Sequence, residues 1–81
     1  MRMWVRSVES VGVAIRAMRK ASGVRQDDIS GVSHVVLRDL EKGKDTVQFG
    51  RVLTVLEELG IRMVLEVPES QADAVESAIN A

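Results

Sequence analysis

The polar residues between Arg25 and Lys44 are the ones whose types and spacing could do chemistry. Arg38 is the sharpest of them, because a guanidinium can donate two parallel hydrogen bonds to the O6 and N7 of guanine. Ser33 and His34 stand one turn earlier, where a hydroxyl and an imidazole could touch a base edge. For Ser33 a purely structural role as a helix cap is equally open, and for His34 a solvated position. Val35, if exposed, could meet a thymine methyl group. Arg25, Lys42 and Lys44 could contact phosphates through their charge, or stand simply as solvated surface charges. Catalysis finds little to assemble. There is no cysteine and a single histidine, and the only adjacent carboxylates in this stretch are Asp27 and Asp28. That leaves no nucleophile beside a base, no thiolate zinc site and no metal cage, so neither an enzyme nor a metal or cofactor site is expected. The absence of cysteine also fits a reducing cytoplasm.

The charge is divided along the chain. The net charge of −1 over 81 residues conceals a first half, residues 1–44, with nine basic groups against five acids, and a second half, residues 45–81, with two against seven. A basic half beside an acidic half suggests two partners, or one partner and a solubilising half. With 46% apolar residues and only Trp4 and Phe49 aromatic, one small core of Val, Leu, Ile, Met and Ala is expected. No apolar run is long enough for a membrane span, and the N-terminus lacks the apolar stretch of a signal peptide.

The elements that would position these residues follow from periodicity. Val8, Val11, Ile15 and Met18 recur at helical spacing, with Ser7 as cap and Gly23 as stop, which predicts a helix over 8–22. Arg16, Arg19 and Lys20 fall off that stripe and read as its wet face. Gln26 to Ser30 reads as a short helix, followed by a turn at Gly31-Val32 and a further helix opened by Ser33. In that helix Val36, Leu37 and Leu40 share a face, while His34, Val35, Arg38 and Lys42 point away. This is the form of a helix-turn-helix. Thr46 is expected to cap a fourth helix, whose Phe49, Val52, Leu53, Leu56 and Leu59 make an apolar stripe ending at Gly60. The period then changes to two: Ile61, Met63, Leu65 and Val67 alternate with Arg62, Val64 and Glu66 until Pro68. A strand over 61–67 needs a partner, either Met1 to Arg6 or the same strand of a second copy. The second copy is the favoured partner, which makes Ile61, Met63, Leu65 and Val67 the dimer interface. The acidic tail 69–81 reads as a weak helix with Ser70 and Asp73 as a capping box, either frayed or ordered on a partner.

Val11 to Gly60, with Arg25-Gln26, Gly31-Val32-Ser33 and Leu40-Glu41-Lys42-Gly43, resembles the Cro/phage-repressor (XRE) type of helix-turn-helix domain. Gly43 to Gln48, and Leu59-Gly60-Ile61 leading into a strand, are similar to its HipB-type antitoxin subset. The resemblance implies a mainly α fold: a four-helix, lambda-repressor-like domain over 1–68 with a dimerising strand at 61–67. It also implies a role for Glu41 in pairing with an arginine of the first helix, and a phosphate contact for Gln26. The implied function is a dimeric regulator that binds a palindromic operator in double-stranded DNA, neutralises a HipA-like kinase toxin and represses its own operon. A free-standing Cro/repressor-type regulator is the alternative. The sequence departs from the pattern in the second helix. Gln26 to Glu41 is about three residues shorter than usual, and Arg25 stands where members have threonine.

Overall fold

A computed structural model describes all 81 residues. Four α-helices occur in the order α1 (Val8–Ala21), α2 (His34–Glu41), α3 (Phe49–Glu58) and α4 (Ala72–Ile79), with single 3-10 turns at Gln26–Asp28 and Glu69–Gln71. The start of α1 is built as expected. Ser7 is extended, its Oγ accepts from the Ser10 N–H at 3.2 Å, and Glu9 sits in the first turn opposite the basic Arg19 and Lys20 in the last.

The core is one cluster: Ile15 from α1, Ile29 after the 3-10 turn, Leu37 and Leu40 from α2, and Val52, Val55, Leu56 and Leu59 from α3 and its end. Gly12 sets how closely α1 crosses the end of α2. A Cβ there would collide with the carbonyl oxygen of Leu40 and lie 2.9 Å from that of Glu41. Gly43 does the same from the other side: its φ of +78° closes the turn after α2, and a Cβ would meet Glu9 Cα at 2.8 Å.

Several expectations are corrected here. In α1 the buried line is Gly12 and Ile15 with Arg19 partly covered, whereas Val8 and Met18 are exposed. The helix touches the body along one narrow seam at the spacing i, i+3, i+7, and the residues at the ends of the apolar stripe overhang it. The second helix is a single 3-10 turn ending at Asp28, too short for an α-helix because the chain lacks the residues to extend it. Thr46 does not cap α3; the helix starts at Phe49 after Gln48, with no side-chain cap. Its buried face is Val52, Val55 and Leu56, continued by Leu59, while Phe49 and Leu53 are 61% and 42% exposed. The helix is thus apolar on two sides, and the five-residue stripe read from periodicity mixes them.

The single chain forms no strand at 61–67. Only Ile61 is half-buried there; its N–H closes the end of α3 on the Leu56 carbonyl at 2.8 Å, and residues 62–67 are exposed. The tail does form a helix, α4, but neither Ser70 nor Asp73 caps it and none of its residues is buried. The molecule is accordingly elongated, 42 × 24 × 23 Å. No helix is long and apolar enough to cross a membrane.

Candidate nucleic-acid interface

The helix that carries the candidate site is oriented by a polar staple at its far end. Arg19 of α1 meets Glu41, the last residue of α2, in a two-pronged pair: Nε donates to Oε2 at 2.7 Å and Nη2 to Oε1 at 2.9 Å. The third nitrogen of Arg19, Nη1, donates to the Val24 carbonyl at 3.1 Å, tying in the turn that leads to the 3-10 segment. The side chains are only 11% and 5% exposed, so a planar fork and a carboxylate are held with little water around them. The hydrogen bonds to Glu41 raise the Arg19 pKa above its ordinary value. Arg19 therefore does not belong to a wet face. The expected pairing of Glu41 with an arginine of the first helix is present.

Gln26 joins the same staple. Its Nε2 donates to Glu41 Oε1 at 3.4 Å, and it is the one half-buried member of the eight residues singled out from the sequence. The missing hydroxyl cap at Arg25 is compensated from the opposite end of the turn: Asp28 Oδ2 accepts from the Arg25 N–H at 3.0 Å. That bond is half of a capping box, and it adds to the backbone bond from the Asp28 N–H to the Arg25 carbonyl at 3.0 Å that closes the turn.

The outward face of α2 presents Ser33, His34, Val35, Arg38 and Lys42 together, all exposed. Ser33 is the N-cap of α2, its Oγ accepting from the Val36 N–H at 3.2 Å. Its hydroxyl proton and remaining lone pair stay available, so the capping and contacting roles are compatible. His34 Nδ1 lies 3.7 Å from Asp27 Oδ1, which links the start of α2 to the 3-10 turn. Lys44 lies beyond the C-terminus of α2 with its Nζ 3.8 Å from Asp39 Oδ2, an exposed pair of small energetic value. Arg38 has no carboxylate within salt-bridge distance.

An open groove beside this face is lined by Ser33, Val36, Asp39, Thr46, Val47, Gln48 and Arg51. It joins the N-terminal ends of α2 and α3. Thr46, Gln48 and Arg51 were missed from the sequence because they lie in the acidic half. The available signal was a basic residue in the first turn of a helix, preceded by a threonine and a glutamine. Nowhere do three His, Cys, Asp or Glu side chains converge as a metal would require.

No family model matches the chain. The chain is 40% identical over 67 residues, 79% of its own length and 88% of the relative's, to an uncharacterized HTH-type transcriptional regulator, y4mF, of Sinorhizobium fredii. Among solved structures its fold is similar to a chain of a HipA–HipB–O2–O3 complex, with a TM-score of 0.75, 17% identity, and coverage of 84% of this chain and all of that one. A chain of a HipB–O4 20mer complex is similar to the same degree, with a TM-score of 0.75 and 17% identity over the same shares.

Proposed function

The chain belongs to the HTH-type transcriptional regulators, its fold is similar to that of HipB, and on that premise we propose that it is the operator-binding antitoxin of a HipBA-like toxin–antitoxin system. The observation that carries DNA binding is the outward face of α2, with Arg38 free of carboxylates and the helix held from behind by Arg19, Glu41 and Gln26. In this reading α2 enters the major groove. Arg38 reads guanine, Val35 meets a thymine methyl, and Ser33 and His34 touch neighbouring base edges. Arg25, Lys42 and Lys44 contact phosphates, and Thr46, Gln48 and Arg51 extend those contacts along the groove beside Ser33. Gln26 reaches a phosphate through the second N–H of its amide or acts through the staple.

Two copies bind a palindromic operator, joined through Ile61, Met63, Leu65 and Val67 of each chain. Among these four only Ile61 is half-buried in its own chain, and their alternation with Arg62, Val64 and Glu66 would set them on one side of a strand. The acidic α4, with Val75 and Ile79 exposed, is the element offered to a kinase-like toxin. Such partners share the cytoplasm with the operator. The likeness of the fold to HipB in complex with HipA supports this second role.

The decisive experiment on DNA is a mobility-shift titration with the promoter upstream of the gene. Arg38→Ala should lose about 1–3 kcal/mol on that duplex and little on random DNA. Equal loss on both would remove Arg38 from base reading. For the toxin, co-expression with the protein of the adjacent reading frame should protect growth, and Val75→Asp should abolish that protection while leaving the mobility shift intact. A neighbour without kinase-like sequence, or protection that survives the substitution, would leave a free-standing regulator.

A further inference from the structure

We infer that the interface between two copies is a four-stranded sheet in which Met1–Arg6 forms the outer strand on each side, next to its own chain's 61–67 segment. This rests on the dimer proposed above and names a strand that the proposal lacks. The two segments have the same unmet need: no backbone N–H of residues 1–6 or 62–67 donates to a backbone or side-chain acceptor. An isolated two-stranded ribbon is marginal, whereas three or more strands over an apolar face are stable.

Geometry brings the segments together. Val5 and Met63 line one mostly apolar groove together with Arg6, Val8, Val11, Phe49 and Val52. The Arg6 guanidinium lies 5.4 Å from the Trp4 ring centroid, an i, i+2 contact that a strand allows. Ser7, which follows, is extended at φ −156° and ψ 161°.

Direction follows from where the second segment begins. With Val5 beside Met63, a parallel pairing would set residues 1–3 opposite 59–61 at the end of α3, where the Ile61 N–H is already bonded to Leu56. An antiparallel pairing instead sets Met3 opposite Leu65 and Met1 opposite Val67, so that the apolar residues of both segments fall on the side facing the groove. On the outer side Trp4 meets Val64 and Arg2 meets Glu66, an aromatic with a β-branched residue and a cation with an anion. The Arg6–Arg62 rung, next to the starts of both segments on the body, carries like charge on two exposed side chains. The other edge of 61–67 is left for the partner copy, and Arg2 and Arg6 mark the exposed outer edge with charge, which discourages further strand addition.

Hydrogen–deuterium exchange on the full-length chain, with sedimentation equilibrium on the same sample, tests this. In the dimer, amides within both 2–6 and 62–66 should be protected, and Met3→Asp should raise the dimer dissociation constant by about tenfold or more. Amides 2–6 exchanging at unfolded-chain rates in a dimer whose 62–66 amides are protected would overturn the outer strand and leave a two-stranded dimer standing. An unchanged dissociation constant for Met3→Asp would also overturn it. A monomer with both segments unprotected would overturn the outer strand and the proposed dimer together.

Discussion

Residues 8–60 and the two flanks, 1–7 and 61–81, carry apolar side chains of the same kinds and bury them to opposite extents. Every core residue, from Ile15 to Leu59, lies in the first region. In the flanks Met1, Met3, Trp4, Val5, Met63, Val64, Leu65, Val67, Val75 and Ile79 are exposed. Hydrophobicity does not separate the regions; the number of opposing surfaces does. Between 8 and 60 three helices and a 3-10 turn converge, so one face of each helix meets another, although Val13, Phe49 and Leu53 stay exposed. Each flank is one element thick, and a single extended segment or short helix has nothing to lean on within one chain. The contrast teaches that the central region is complete by itself, whereas the flanks are surfaces awaiting a partner.

This comparison can be broken most severely in the core. Leu37 is fully buried, and Leu37→Ala should cost about 2–5 kcal/mol by denaturant unfolding. Leu65→Ala in the flank should change the stability of the dilute monomer by less than about 0.5 kcal/mol. Equal costs would show that the flank is folded against its own body. Glu41→Ala comes next. It leaves the Arg19 guanidinium nearly buried without its partner and should cost about 3 kcal/mol, read as a drop in thermal midpoint. Gly12→Ala forces a methyl group into the carbonyls of Leu40 and Glu41, and a loss of about 1–3 kcal/mol is expected. A neutral result would mean that α1 can move away from α2 freely.

Smaller effects sharpen the flank side. Leu65→Asp should shift light scattering from dimer to monomer while circular dichroism keeps the signature of α1 to α3; an intact dimer would place the interface elsewhere. The smallest effect belongs to Lys44→Ala. Its exposed pair with Asp39 is worth less than about 0.5 kcal/mol to stability. Its DNA readout is a uniform weakening on all sequences and a shallower dependence on salt.

The legibility of the sequence follows the same division. The outward set of α2 was readable because one helix carries it: given Leu37 and Leu40 inside, His34, Val35, Arg38 and Lys42 must lie outside. Arg19 was misread as solvated by the same local rule, since periodicity ranks an arginine by its own polarity and is blind to a carboxylate 22 positions away. In α3, Phe49 and Leu53 satisfied the stripe as well as Val55 did, and only the placement of α1 and α2 selected Val55 for the core. Thr46, Gln48 and Arg51 join the candidate site by proximity to Ser33, which the charge of their half of the chain obscured.

Sequence alone determined the quantities that depend on neighbours in the chain. These are the caps at Ser7 and Ser33, the faces of α2, the change of period after Gly60 and the resemblance that these make together. Tertiary structure decided which of two apolar sides of α3 is buried, that Arg19 and Glu41 close on each other, and that the N-terminal segment arrives beside Met63. The physical reason is range. Capping and periodicity are satisfied within one or two helical turns. Burial and ion pairing depend on what other elements bring near, and in the single chain no backbone N–H of 62–67 is bonded.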